Sequence, residues 1–593
     1  MTKEEVRWNL DDILPIKKFD ALYKEAEEAL KQYELFYANI SPEMPELGFK
    51  ALIDFDEKMS EKISRLLDMP LLMESTDQKS TTAKLLKSKA ENFAVRCANV
   101  SRKMGHWIQG KEVKDIKTLD DKNAERLFNA VPDLKYVLWH ARESAKYTLS
   151  EREERISTEK HITGLSVLMD LRELIETEFK YTFKPKGKKE QIIDTESEVI
   201  KYSYSSNPAE REAASVALLT KFKENLDKFY MMYQAVVKDW GYSAEMRGFK
   251  SPIAVRNHAN HVPDEAVEAL LETCRENKDV YKSYFKFKAK ELGMKKLRRC
   301  DIYAPLKIAK PENIPYSNAV KIVLQTYDSF GKGFGEKAKA IIDRRHIDSH
   351  PRLNKRGGAF CSTVAPSIAP YVLLNYTNRF RDVSTLAHEL GHGIHALYAR
   401  HHSTSAQHAN LPLCETASTL GEMVVFEKLL EKAKDDKQRK AMLADKMADS
   451  YATIMRQSYF IEFEIKAHDI IKKGITAEEL SEEYMKTLKE QFGDSVVINP
   501  LYRYEWARIS HIFESPFYCY AYNFGELLSM SLFARYKKEG SAFIPAIEKV
   551  LAYGGSESPD KVLKEIGVDM RSKRFWQGGF DIVKEWQKRL ERY

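Results

Sequence analysis

The sequence has no paired-cysteine spacing. Its six cysteines (Cys97, Cys274, Cys300, Cys361, Cys414 and Cys519) are scattered through 593 residues without a C-x-x-C. That excludes a zinc ribbon and argues against a disulfide framework, so buried free thiols in a reducing compartment are expected. Long apolar runs are also missing. YVLLNY and LLSMSLF are short and interrupted, far below the roughly 20 residues a helix needs to cross a bilayer. Neither sign of charge dominates: 95 Lys and Arg against 88 Asp and Glu leave +7, too little over this length to imply a nucleic-acid partner. The opening residues, MTKEEVRWNLDDIL, carry no apolar signal core, and a cytoplasmic protein with no membrane association is expected. There is no internal repeat and no low-complexity tract. What is present, 43% apolar and 31% charged residues, fits a folded chain long enough to bury a core without staples.

Helical period dominates the chain. Apolar residues recur at three- and four-residue steps over 17–36, 49–68, 80–104 and 149–182. FKPKGKKE (183–190) combines Pro, Gly and basic residues, and is expected to mark a boundary or an exposed crossing. The division expected is an N-terminal helical region, 1–185, and a catalytic region, 186–593. Asn207 and Pro208 form an N-cap and first helical position, opening one long helix that runs to about Tyr242. A helical pair is expected over 262–292. Strand signals are few and gather at 358–377, where Pro366 and Pro370 predict a turn between two short strands. The fold class expected is mainly α, with one small sheet before the chemical motif.

That motif is DVSTLAHELGHGIHALYA, residues 382–399. His388, Glu389 and His392 form H-E-x-x-H. Four residues of helix return to the same face one turn on, so both imidazoles can reach one ion while Glu389 can touch a water upon it. Asp382 or Ser384 is expected to cap this helix. A catalytic zinc takes three protein ligands and keeps one open position. A third histidine in H-E-x-x-H-x-x-G-x-x-H would require a glycine at position 395 and a histidine at position 398, but the residues are His395 and Tyr398. A glutamate nineteen residues past the second histidine would fall on Leu411. The next acidic residue is Glu415, in NLPLCETASTLGEMVVFEKLL, after a polar loop able to turn the chain back. Glu415 is therefore the expected third ligand of one zinc per chain. Glu422, seven residues on, shares its face and either supports a ligand histidine or is a solvated glutamate. His401, His402 and His408 are expected to face solvent, and His395 either touches the site or packs its helix.

HELGHGIH followed by CETASTLGE resembles the thimet-type M3 metallopeptidases, in particular their oligoendopeptidase F branch. KRGGAFCSTVAPSIAPYVLLNYT (355–377) resembles that family's substrate-side strand, and WARISHIFESPFYCYAYNFGELL (506–528) its downstream His/Tyr segment. The resemblance is strongest over 355–425 and 500–526. It implies a two-lobed helical body around a deep substrate channel, hence cleavage of oligopeptides and not of folded proteins. It also implies His388, His392 and Glu415 as metal ligands and Glu389 as general base. Cys361 and Cys414 stand where thiols are not expected, which leaves room for thiol-sensitive activity.

Ser515-Pro516 reads as the N-cap and first turn of a helix running to about residue 537. On it Tyr518 and Tyr522 share a face and Tyr520 points away. Aided by the resemblance, His511, Tyr518 and Tyr522 are expected to bind the substrate carbonyl or the oxyanion; core packing is the alternative. An exposed strand at 357–364 can pair with an extended peptide, which makes Gly358, Ala359 and Phe360 candidate substrate-binding residues. The leading expectation is a zinc endopeptidase of short peptides. The alternatives are a zinc carboxypeptidase or dipeptidyl carboxypeptidase, with Arg379, Arg381 or Arg508 holding the terminal carboxylate, and a metal-binding scaffold without hydrolysis. An intact Glu389 argues against the scaffold.

Overall fold

The structure, a computed structural model, describes residues 5–37, 40–306 and 313–593. They are mainly helical, with three small sheets among the described residues. No described helix is long and apolar enough to cross a membrane. Contact density divides the chain into two compact units. One comprises Met1–Lys146, Lys310–Glu431 and Arg535–Asp569, the other Tyr147–Ala309, Lys432–Ala534 and Met570–Tyr593. The units are interleaved along the sequence and not consecutive.

In the first unit, helices Phe19–Tyr37, Glu46–Thr76 and Thr81–Ile108 occupy the expected periodic segments. Ser80 starts the third by accepting a hydrogen bond from the Ala83 N–H. Their apolar stripes (Phe19, Leu30, Leu66, Met69, Phe93) form one core with Val364, Ile368 and Tyr371, so the N-terminal helices carry the small sheet. That sheet has Tyr371–Leu373 at its centre, parallel to Ile347–Asp348 on one side and antiparallel to Phe360–Ser362 on the other. Pro366 and Pro370 lie in the expected turn; the strand Ile347–Asp348 was not foreseen. Phe360–Ser362 is an edge strand. The loop leading into it is held by the buried Asp348, which receives two bonds from Arg352 (2.6 and 2.9 Å) and pairs with the Lys355 ammonium at 2.6 Å. Lys355 also donates to the carbonyls of His350 and Leu374, and Asn375 to those of Arg356 and Gly358. Gly358 adopts φ +79°, open to glycine at little cost.

In the second unit, Glu151–His161 runs through a π turn at Ile162–Ser166 into Val167–Thr177. The segment 183–190, expected as a boundary or an exposed crossing, is the turn of a hairpin within the second unit, Tyr181–Phe183 with Gln191–Ile193. Pro and Gly marked a local reversal there, a signal that composition alone does not separate from a linker. Asn207 caps Pro208–Glu224 as expected, but the long helix breaks at Asn225 (φ −114°, ψ 18°) and resumes as Leu226–Met246. The Asn225 side chain bonds back to the Lys221 carbonyl, the local competition with helix that Asn offers. The pair expected over 262–292 is Asp264–Glu276 and Lys278–Glu291.

Candidate functional site

H-E-x-x-H lies on the helix Phe380–Tyr398. The helix starts before the caps expected for it: Asp382 sits in the first turn and accepts from the Thr377 and Arg379 N–H groups at 2.6 and 3.0 Å. Apolar Val383, Leu386, Leu390 and Ile394 are fully buried, so the other face is committed to the core and the histidines are held at one register. Their rings lie 4.9 Å apart.

The second half of the site comes from Glu415, in the turn before the helix Thr416–Glu431. The two helices are antiparallel, since contacts run in opposite order: His388 with Glu422, Gly391 with Ser418, His392 with Glu415. Gly391 sets how closely they approach. A Cβ there would lie 2.4 Å from the Ser418 Cα and 2.6 Å from the Ala417 carbonyl oxygen, both backbone atoms that cannot swing aside. Replacing Gly391 by Ala must therefore push the helices apart. The expected cost is about 1–3 kcal/mol of stability and about 10–100-fold in metal affinity. Calorimetric melting and a metal titration of the variant read both, and a wild-type metal affinity would contradict this account.

The approach brings one carboxylate oxygen, Glu415 Oε2, to 3.4 Å from Nε2 of both His388 and His392. The Ser418 hydroxyl donates to the same oxygen at 2.7 Å. Glu422 Oε2 lies 3.4 Å from the other ring nitrogen of His388, Nδ1. His388 is thus approached by Glu422 at Nδ1 and presents Nε2 to Glu415, while His392 presents Nε2 to the same oxygen. Burial alone would lower His388, but Glu422, Glu415 and Glu389 carry it up to about 9. Burial raises Glu389 to about 7, against the pull of His388. Three carboxylates around two imidazoles call for a cation. The three donor atoms lie within 4.8 Å of one another, which fits a divalent ion. His395 is buried and driven down to about 4 by desolvation and by His392, which fits a residue that packs its helix. Of the loop histidines, His402 does not simply face solvent: it bridges Asp133 and the Ala552 carbonyl.

Cys361 alternates inward from the edge strand; a Cβ on Gly393 would lie 3.7 Å from its sulfur. Burial pushes its thiol well up, and that of Cys414 to about 12. Both stay protonated and are poor nucleophiles.

His511, Tyr518 and Tyr522 cluster in the second unit. His511 Nε2 lies 3.2 Å from the Tyr522 hydroxyl, and the Tyr518 ring is 6.1 Å from His511 and 5.4 Å from Tyr522. Tyr522 is 36% exposed, which core packing does not explain. Tyr520 is buried and accepts from Asn260 at 2.7 Å, away from the cluster as expected. The expected helix start is corrected: Ser515 and Pro516 follow a short helix, Ser510–Glu514, and the long one begins only at Tyr520. The reason is Phe517, whose φ of +58° no right-handed helix accommodates. Arg256 and Glu464, which hold this turn, carried no sequence signal.

Two imidazoles and a carboxylate converging from antiparallel helices, with a glutamate beside the first imidazole, define the donor pattern of metal-dependent peptidases. Residues 201–582 match peptidase family M3, a metallopeptidase family, and the chain belongs to it. It is 26% identical over 583 residues to oligopeptidase PepF of Bacillus subtilis, covering 96% of this chain and 84% of that one. It is 30% identical over 395 residues, 65% of each chain, to an oligoendopeptidase F homolog of Lactococcus lactis subsp. lactis. The fold matches a solved chain from Chlamydophila abortus with a TM-score of 0.88 at 21% identity, over 100% of this chain and 98% of that one. Oligoendopeptidase-F from Enterococcus faecium shares the fold at a TM-score of 0.69 and 20% identity, over 97% and 98%.

Proposed function

We propose that the protein is a zinc-dependent endopeptidase that hydrolyses internal bonds of oligopeptides, with its catalytic machinery inside residues 186–593. The observation that carries this reading is the shared approach of His388 and His392 to one oxygen of Glu415, 3.4 Å from each, with Glu389 next in the chain to the first ligand. Two imidazoles, one carboxylate and an open position suit zinc, one per chain, and the same donors bind other divalent ions. When bound, such an ion supplies Lewis acidity to a water and to the peptide carbonyl. Glu389 then does the proton work: it takes a proton from the attacking water onto a carboxylate oxygen and delivers it to the leaving amine. Glu422 holds His388 in the tautomer that presents Nε2. His511 and Tyr522, with Tyr518 beside them, offer donors to the substrate carbonyl and the developing oxyanion. The edge strand Phe360–Ser362, with Gly358 and Ala359 leading into it, pairs with the peptide backbone. Six free cysteines suit a reducing cytoplasm. Oligopeptides are the partners; neither nucleic acid nor membrane has a place in this reading.

An exopeptidase reading needs a cation for the terminal carboxylate; of the candidates Arg379, Arg381 and Arg508, the last is engaged by Glu196 at 2.7 Å. The deciding experiment is digestion of an internally quenched peptide blocked at both ends, with metal analysis of the purified protein. Internal cleavage with one zinc per chain is expected. Cleavage of unblocked peptides only, from the C-terminus, would transfer the assignment to the carboxypeptidases. Tyr522→Phe keeps the ring and removes the hydroxyl, so turnover should fall by about 10²–10³ while the Michaelis constant and metal content hold. Unchanged turnover in that variant would remove the oxyanion role.

A further inference from the structure

The peptide bond between Pro516 and Phe517 is gripped at both polar edges. Arg256 Nε donates to the Pro516 carbonyl at 3.1 Å, and its second nitrogen donates to the Ser515 hydroxyl at 3.0 Å. From the other side, Glu464 Oε1 accepts the Phe517 N–H at 2.7 Å. The residue so held has φ +58°, a conformation costly to a bulky side chain that persists only where the surroundings over-determine it. The Phe517 ring is buried against His468, with centroids 4.6 Å apart. Arg256 lies over the Trp240 ring, 5.6 Å from its centroid, which fixes the guanidinium from behind.

Glu464 is poorly explained by stability. It is fully buried, and its Oε2 has no hydrogen-bond partner. Burying a carboxyl group with one oxygen unmatched is unfavourable, and an apolar side chain would fill the same space without that loss. What the carboxyl does supply is an acceptor for one N–H, at the point where the chain is turned away from helix. The next residue is Tyr518. Without the left-handed residue the helix would begin near Pro516, and Tyr518 would leave the backbone in another direction.

We propose that Arg256 and Glu464 are positioning residues: together they clamp the 516–517 peptide and thereby set where Tyr518 stands beside Tyr522 and His511. The inference rests on the reading that this cluster contacts substrate. It places two residues of other helices, Pro252–Ala259 and Arg456–Ile471, in the service of the reaction through hydrogen bonds to the main chain, without contact with substrate.

The test is steady-state kinetics on a quenched peptide with the full-length, metal-loaded protein, alongside metal content and circular dichroism. Glu464→Leu and Arg256→Met should each lower kcat about tenfold or more, with KM changed less and metal content intact. Glu464→Gln keeps an acceptor for the Phe517 N–H and should restore most of kcat. Tyr522→Phe serves as the reference for the cluster itself. If Tyr522→Phe is strongly impaired while Arg256→Met and Glu464→Leu turn over within about twofold of wild type, the clamp is overturned and the cluster reading stands. If Tyr522→Phe and His511→Ala both turn over normally, the cluster reading fails and the clamp with it. If Glu464→Gln is as impaired as Glu464→Leu, the hydrogen-bond acceptor is not what matters, and the proposal is wrong. Should Glu464→Leu fail to fold, Arg256→Met and Glu464→Gln carry the same decision.

Discussion

Glu389→Gln is expected to bind its metal as the wild type does and to lose hydrolysis by at least about 10²–10⁴-fold, the usual contribution of a positioned general base. The amide has the size and burial of the carboxyl, and Glu389 is not among the three converging donors, so the ligand set is untouched. The loss should lie in turnover and in kcat/KM equally, because the proton is moved only in the transition state. Metal analysis and a quenched-peptide assay on one preparation give both quantities. A variant that is metal-replete and still turns over like wild type would remove Glu389 from the mechanism. One that has lost its metal would instead make Glu389 a ligand.

Glu415→Ala should have the second largest effect, and a different signature. Glu415 Oε2 is the atom on which both imidazoles converge and to which Ser418 donates. Removing it takes away the proposed charged ligand and leaves two histidines, so metal content after dialysis should collapse and activity with it. Adding excess zinc should recover activity only partly. Full occupancy in this variant would pass the third-ligand role to Glu422, which lies 3.4 Å from His388 on the opposite ring nitrogen. Glu422→Ala should then be the variant that empties the site. On the present geometry it only loosens His388, lowering metal affinity by about 10–100-fold.

Much of the candidate metal site was legible because its information is local. The H-E-x-x-H spacing defines a helix face by itself, and acidic residues are so sparse after His392 that Glu415 was nearly forced. Gly391 was harder to read. Its partner, the small-residue run Thr416-Ala417-Ser418, stands more than twenty residues away, and only an antiparallel packing makes sense of a glycine between two ligands. The sheet's third strand was invisible for the opposite reason: Ile347–Asp348 is two residues long, below any periodicity. Tyr518, Tyr520 and Tyr522 were sorted correctly, yet from a helix that does not begin where Ser515-Pro516 announced it. Local capping chemistry pointed one way, but Phe517 takes a left-handed conformation, with Arg256 and Glu464, distant in sequence, bonded to the peptide before it. The hairpin at 183–190 and the break at Asn225 have the same cause: turn residues signal that the chain departs from helix and are silent on where it goes.

If peptides pair with the edge strand Phe360–Ser362, as proposed, that pairing has a consequence for which molecules such an enzyme can recognise. A strand that offers main-chain groups asks nothing of a peptide's side chains; it asks that the peptide's own N–H and C=O groups be free. In a folded protein nearly all of those groups are already paired. Selection by such an edge falls on conformation and not on sequence. A chain becomes eligible by losing its structure, and the same residues that are refused inside a stable protein are accepted once released from it as a fragment.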